Sequence, residues 1–593
     1  MSSLRRCIFI LSFLAVAHSL ALNIWQSFEL PLQVARLDGF PWHPTTGLDA
    51  PRVLISQGTV IGSVLRVASA PQPVEAFRGI PYALPPVGNR RFRPAVSLGA
   101  SHETIHATEF GARCPGKQLV QLPGGDGRES EDCLTLNVFR PKLQAGYDSE
   151  KLPVALYIHG GAFNRGTAAM HDTASMVAWS ERPFVAVSFN YRIGALGFLP
   201  SNLSHEEGIL NLGLKDQFMV MEWVQENIDK FGGDPNQVTL FGLSAGAHSI
   251  GHHVMNLRET GPLFHRVIIE SGAPTSRAVR PYDAAIHETQ FSEFIEEAGC
   301  ANVPSATVFP CLRTQPEKTI TDAQSAVFSR YNPSLRWAFQ PVIDREIIPR
   351  RPIDAWASGE WNKVPIMTGF SHNEGTNYVP ASMSEPEQFT EFFRVLVPRL
   401  SESDLNTIAE LYPDPSTHPD SAYVDSRDLA AIQVGPQFKR VEAAYAQYAY
   451  ICPVRQTANL AAPNQAAPVY LYHWALNQTV KGGANHGDHL WYQTMDAAVQ
   501  DYSEAQKEVA WALHAYWTSF ITTGNPNSIR GRAADRAEWV KYNTKDPRVL
   551  VFGEGNDERA GGNDVGVAAT MKRDEWSSKE CDFWWNKTVL SEM

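Results

Sequence analysis

Past residue 21 the sequence has no run of about 20 consecutive apolar residues, the length a membrane-spanning helix needs. That excludes a later integral anchor, and the mature chain is expected to be soluble. Basic charge is also in short supply. Lys and Arg total 51 against 63 Asp and Glu, for a net charge of −12. This balance argues against nucleic acid or an anionic membrane as the main partner. Cysteine is scarce, with seven in 593 residues. No C-x-x-C pair or His/Cys cluster occurs, so no metal site is expected. Internal repeats, low-complexity tracts and linkers are missing too, which leaves one large domain.

What is present begins with a leader. Met1 to Ala21 carries basic Arg5 and Arg6, an apolar stretch from Ile8 to Ala17, and Ser19-Leu20-Ala21 as a small-residue cleavage site. It reads as a secretory signal. Cys7 leaves with it. Six cysteines remain, Cys114, Cys133, Cys300, Cys311, Cys452 and Cys581. They allow 15 pairings, and an oxidising compartment favours disulfides over thiols. N-x-S/T sequons at Asn202, Asn477 and Asn586 fit a secreted, extracellular glycoprotein. Residues 22–52 read as an N-terminal extension and 53–593 as the single domain.

Along that domain, Val53 to Val67 alternates around Gly58 and Gly62, the pattern of an opening hairpin. A continuous apolar run at Pro153 to Ile158 suits a central parallel strand, and Leu134 to Phe139, Phe184 to Phe189, Val238 to Phe241 and Val267 to Ile269 read as further strands. Val364 to Gly369, Val469 to Trp474 and Val549 to Phe552 continue the series. Helical spacing marks Asp216 to Asn227 and Glu504 to Thr522, the second stopped by Gly524-Asn525-Pro526. Residues 280–360 and 385–460 read as helical, irregular insertions. The fold class is α/β, a mostly parallel twisted sheet with helices on both faces.

The chemistry centres on Gly242-Leu243-Ser244-Ala245-Gly246. A strand that turns through G-x-S-x-G into a small-residue helix is a nucleophile elbow. A serine hydroxyl is a weak nucleophile that needs a base, and the base needs an orienting acid. In such sheets the acid and then the histidine follow the serine along the chain. Glu374 is the best acid, in the loop Gly369–Gly375 after a predicted strand. His486 is the best base, in Gly482-Gly483-Ala484-Asn485-His486-Gly487-Asp488. His489 is near enough to compete. His473 lies in an apolar strand, His514 in a helix and His418 in a polar loop, so they fit less well. His159-Gly160-Gly161 after a central strand matches an oxyanion loop, so the N–H groups of Gly160, Gly161 and Ala245 supply three donors.

These residues sit among longer motifs. They include Phe77-Arg78-Gly79-Ile80-Pro81-Tyr82-Ala83, Ser130-Glu131-Asp132-Cys133-Leu134, Asn190-Tyr191-Arg192, Gly213-Leu214-Lys215-Asp216-Gln217 and Glu270-Ser271-Gly272-Ala273. In order, from about Val53 to Trp585, they resemble the type-B carboxylesterase/lipase family. That family comprises α/β-hydrolases that include fungal secreted esterases and the cholinesterases. The resemblance implies a Ser244, Glu374, His486 triad with Gly160, Gly161 and Ala245 as oxyanion donors. It also implies disulfides Cys114–Cys133, Cys300–Cys311 and, less directly, Cys452–Cys581.

Three positions depart from the family pattern. Leu243 stands where Glu usually precedes the serine, His489 where an acid is frequent, and Ser371 where the acid loop usually has Asn. They bear on substrate preference rather than reaction type. The expected activity is hydrolysis of small-molecule or lipid esters through an acyl-serine, with no cofactor. A lipase or an acyltransferase would use the same triad. The 18 residues between Cys114 and Cys133 are few for a large apolar lid, which favours soluble esters. A silent binding protein of the neuroligin kind is disfavoured because all three triad residues are present.

Overall fold

A computed structural model describes residues 43–45, 50–66, 69–117, 128–142, 150–277, 279–477, 483–556 and 565–591. The leader, most of the N-terminal extension and loop residues 118–127 inside the first disulfide lie outside them. A twelve-stranded sheet organises the fold. Its strands are β1 (His43–Thr45), β4 (Ser63–Arg66), β5 (Val74–Pro81), β7 (Thr135–Pro141), β8 (Leu152–Ile158), β9 (Val185–Phe189), β10 (Gly233–Leu243), β11 (Arg266–Glu270), β12 (Ile366–Ser371), β13 (Val469–Trp474), β14 (Arg548–Phe552) and β15 (Ala569–Arg573). The spatial order is β1-β4-β5-β7-β9-β8-β10-β11-β12-β13-β14-β15. Pairings from β9 across to β14 are parallel, and those toward both edges are antiparallel. A separate small sheet joins β2 (Arg52–Ile55), β3 (Gly58–Ile61) and β6 (Thr104–His106).

The central strands are apolar without alternation because both faces are covered. Along β8, Val154, Leu156 and Ile158 enter one core layer, and Ala155 and Tyr157 the other. The first layer packs helices α1 (Leu212–Asn227) and α2 (Ala245–Met255) through Leu214, Val224, Ile250 and Val254. The second packs α5 (Glu504–Thr523) through Val509, Leu513, Tyr516, Trp517 and Phe520. Ser503 caps α5, its hydroxyl accepting the Gln506 N–H at 3.2 Å, and Gly524 ends it at φ +76°. Two helices join on the α2 side, α3 (Phe438–Ala446) and α4 (Cys452–Ala461), with a π-helical turn, Gln447–Ile451, between them. No helix among the described residues is long and apolar enough to cross a membrane.

Several boundaries differ from the sequence reading. β10 starts at Gly233 rather than Val238, with a register break before Val238 next to Pro235, which has no N–H to pair. β12 starts two residues late, because Pro365 offers only its carbonyl, to the Val267 N–H at 3.0 Å. The half-exposed edge strand β15 and the terminal helix α6 (Ser578–Ser591) carry no long apolar period and escape sequence reading. Cys452–Cys581 ties α6 to α4, and Cys114–Cys133 and Cys300–Cys311 are also bonded.

The sequence motifs become buried cross-links. The Arg192 guanidinium donates Nε to Asp216 Oδ2 at 2.7 Å and Nη2 to Oδ1 at 2.6 Å, and both side chains are buried. Arg91 meets Glu131 at 2.6 Å, equally buried. Tyr82 Oη donates to the Asn190 carbonyl at 2.7 Å. Removing one partner of such a pair strands a charge in the core, at about 3–5 kcal/mol. Asp216→Ala is therefore expected to lower the unfolding free energy by about 3–5 kcal/mol, read from urea unfolding followed by fluorescence. A change under about 0.5 kcal/mol, the usual ceiling for surface substitutions, would contradict the assignment of this pair as structural.

Candidate active site

β10 delivers Ser244 at φ +60°, ψ −122°, and α2 begins at the next residue. A serine at positive φ is strained by about 1–3 kcal/mol, and the neighbours must hold it there. The Ser244 N–H donates to the Glu270 carbonyl at the end of β11, at 2.9 Å. On the other side β8 crowds in. A Cβ on Gly242 or Gly246 would stand 2.4 or 2.0 Å from the Ile158 carbonyl oxygen. The small residues of the elbow are thus required by the approach of β8. Ala245 opens α2, so its N–H has no acceptor one turn back in the helix.

The loop after β8 lies against the elbow. A Cβ on Gly160 would be 3.1 Å from Ser244 Cβ. His159 is buried, stacked on Tyr191 at 4.3 Å, with Nδ1 2.9 Å from the Gly160 carbonyl. Burial pushes its pKa down to about 4, so it is neutral at pH 7. Asn164 Nδ2 donates to the carbonyls of Ala162 and Ala338, at 2.9 and 3.0 Å, which fixes the loop from outside.

Glu374 follows β12 and is fully buried. Its Oε1 accepts the Ser371 N–H at 2.6 Å, and its Oε2 pairs with His486 Nδ1. The backbone at Ser371 serves the carboxylate, so the departure there costs nothing visible. Two hydrogen bonds join the acid and histidine loops. Asn373 N–H donates to the Ala484 carbonyl at 2.8 Å, and Ala484 N–H to Asn373 Oδ1 at 3.2 Å. With Nδ1 turned to the carboxylate, Nε2 is the ring nitrogen left facing away from it. Nε2 is buried with no hydrogen-bond partner among the described residues. The next residue touches the elbow: a Cβ on Gly487 would stand 3.0 Å from Leu243 Cδ2. Ser244, Glu374, His486, Gly160, Gly161 and Ala245 are thus gathered at the carboxyl ends of the parallel strands.

The competing histidines are elsewhere engaged. His489 is fully buried, with Nε2 3.6 Å from Glu270 Oε2. That carboxylate also takes Gln493 Nε2 at 3.0 Å and the Trp517 indole N–H. His473 stacks on Phe370 at 4.8 Å, His514 Nδ1 sits 2.8 Å from the Gln493 carbonyl, and His418 Nδ1 is 2.9 Å from Thr417 Oγ1. Among the sequons, Asn202 and Asn586 are exposed, and Asn477 is half-buried with its Oδ1 inside. Thr479 of that sequon and Gly482 of the histidine loop lie outside the described residues.

Sequence reasoning missed the packing around the pair. Tyr450 and Tyr378 lie 4.7 and 5.3 Å from the His486 ring, centre to centre. Glu442, from α3, accepts the Gly375 N–H at 3.0 Å and Asn373 Nδ2 at 3.3 Å. No motif marks these residues, and Glu442 on α3 and Tyr450 in the π-helical turn come to the site only through the tertiary fold.

Burial, and secondarily the charge on Glu374, pushes the Glu442 pKa up to about 7. The folded value lies above the unfolded one, so stability from its proton is full at low pH. It is lost as the pH rises from about 4.3 through about 7. Glu442→Gln keeps the shape without the titration. The melting temperature of Glu442→Gln minus that of wild type is expected to rise from pH 5 to pH 8, by the equivalent of up to about 3 kcal/mol. A flat or falling difference in thermal melts would contradict the buried acid.

The sequence model of the carboxylesterase family matches residues 49–584. Secreted lipase 4 of Gibberella zeae is 33% identical over 539 residues, 89% of this chain and 91% of that protein. Acetylcholinesterase of Danio rerio is 31% identical, with 80% of each chain covered. The crystal structure of Aspergillus niger EstA superposes with a TM-score of 0.75 at 29% identity, over 92% of this chain and 99% of that one. That likeness assigns the architecture described above to the α/β-hydrolase fold. With the family model spanning nearly all of the described sheet, the chain belongs to the carboxylesterase family.

Proposed function

We propose that the protein is a secreted serine ester hydrolase working through an acyl-serine intermediate. One observation carries the reading: the Glu374–His486 pair, with Nε2 buried and unpartnered, in a loop that touches the strained Ser244 elbow. Ser244 Oγ bonds to the ester carbonyl carbon as its proton passes to His486 Nε2. The carbonyl oxygen becomes an oxyanion held by the N–H groups of Gly160, Gly161 and Ala245, at the positive end of α2. The C–O bond to the alcohol breaks as His486 returns the proton to the departing oxygen. Glu374 keeps the ring oriented and stabilises its cationic form. Water then attacks the acyl-serine, His486 takes its proton, and the acid leaves as Ser244 is reprotonated.

Secretion is supported by the leader pattern of residues 1–21 and by three disulfides, which persist in oxidising compartments. Relatives from Gibberella zeae and Botryotinia fuckeliana are named secreted lipases. Exposed Asn202 and Asn586 are the best glycosylation sites. Soluble esters are the favoured substrates, because the disulfide loop is short for a lid.

The test is hydrolysis of p-nitrophenyl esters from acetate to palmitate by wild type and Ser244→Ala. Short and medium chains are expected to turn over, with kcat/KM falling at least about 10⁴-fold in Ser244→Ala. A long-chain optimum rising above substrate solubility would assign a lipase instead. Equal rates in the two proteins would overturn the serine mechanism.

A further inference from the structure

Beyond the tyrosines that pack on His486, the protein becomes strongly cationic. Arg277 follows β11 and stands at φ +58°, with its guanidinium 3.6 Å from the centre of the Trp337 ring. Trp337 lies 5.6 Å from Tyr378, whose ring packs on His486. Trp337 belongs to residues 335–340, which are hydrogen-bonded to the glycine loop. Asn164 Nδ2 reaches the Ala338 carbonyl at 3.0 Å, and Gln340 Nε2 the Ala162 carbonyl at 3.0 Å. Arg336 is therefore carried on a segment braced against the catalytic loop.

A narrow space of about 40 Å³ between Arg277, Arg280, Arg336, Trp337 and Tyr445 lies beside a larger cleft. That cleft has a volume of about 490 Å³ and shares Arg280, Ile286 and Arg336 with the narrow space. Arg351 and Arg399 also line it, together with apolar Pro281, Ala284, Val397 and Leu590.

The arginines lack counter-charges. Arg351 is committed to Asp354 at 2.7 Å. No carboxylate among the described residues pairs with Arg277, Arg280, Arg336 or Arg399. After burial, Tyr448 acts on Arg280 first and raises its pKa, Arg336 and Arg399 act on it as like charges, and Arg336 Nε is buried without a hydrogen-bond partner. Burial lowers the pKa of Arg280 and Arg336. His287 lies near both; burial, then Arg280 and less strongly Arg336, hold it down to about 3. Gathering guanidiniums where water is partly excluded costs free energy unless an anion joins them. The chain carries a net charge of −12, so this local excess is not a general basic surface.

We propose that this cleft is an anion subsite of the hydrolase, and that its preferred esters carry a carboxylate several bonds from the scissile carbonyl. The inference rests on the hydrolase reading above. The planar fork of a guanidinium matches a carboxylate in two parallel hydrogen bonds, and the apolar lining takes the methylene chain between carboxylate and ester. A free carboxylic acid product presents the same chemistry and would occupy the same place.

The test compares two matched pairs by initial rates at low salt. Mono-4-nitrophenyl adipate against 4-nitrophenyl hexanoate puts the charge in the acyl half. 6-Acetoxyhexanoate against hexyl acetate puts it in the alcohol half. In at least one pair the charged ester is expected to have about tenfold higher kcat/KM. That ratio should fall about tenfold in Arg280→Gln/Arg336→Gln and collapse in 0.5 M NaCl. It should survive in Arg394→Gln, which removes an exposed guanidinium paired with Glu402. Neutral esters favoured in both pairs would overturn the subsite and leave the hydrolase standing. If no ester of either pair turns over, the hydrolase reading fails and calorimetry with adipate decides the subsite. Adipate binding weakened about tenfold by the double substitution would uphold it, and no binding by wild type would overturn it.

Discussion

Ser244 is held in a backbone conformation that a serine avoids, and the centre of the sheet is built to hold it there. β8 comes so close beneath the elbow that Gly242 and Gly246 have no room for a side chain against the Ile158 carbonyl. β11 takes the Ser244 N–H from the other side. The register of three parallel strands thus converges on one residue, and the helix that starts there points its free N–H groups at the same place. A strained conformation persists when its surroundings over-determine it. Here they do so by backbone contacts on two sides.

The partners come from loops 112 residues apart in sequence, and Asn373 joins them. Its backbone and side chain both bond to Ala484, which ties the Glu374 and His486 loops together. Below them, a second buried pair, His489 with Glu270, sits on the strand that anchors the serine. The carboxylate that holds the imidazole and the one that lies under the elbow are therefore different groups. Farther out, the buried ion pair Arg192–Asp216 ties the segment after β9 to α1, and Arg91–Glu131 ties the segment after β5 to the one before β7. The unpaired arginines around the outer cleft stand apart from that pattern, because every buried structural arginine just named has its carboxylate.

Much of this is legible in the sequence because the central strands are buried on both faces and read as unbroken apolar runs. The elbow is legible because crowding by β8 leaves only small residues possible around Ser244. Glu374 and His486 are legible by chain order and by their glycine-flanked loops, although local sequence does not separate His486 from His489. Only tertiary packing, which turns one toward Glu374 and the other toward Glu270, separates them. Helix α6, edge strand β15, Glu442 and the arginine cleft are not legible, since each depends on what the fold places beside it. Proline accounts for the register break in β10 and the late start of β12, where its missing N–H interrupts pairing.

The central claim is that Ser244 is the nucleophile, and covalent labelling tests it most directly. The protein would be treated with diethyl 4-nitrophenyl phosphate, then measured by intact mass and peptide mapping. The account predicts one diethylphosphoryl group per chain, on Ser244, with release of one equivalent of 4-nitrophenol. A label on any other residue, or no label with ester hydrolysis intact, would contradict it.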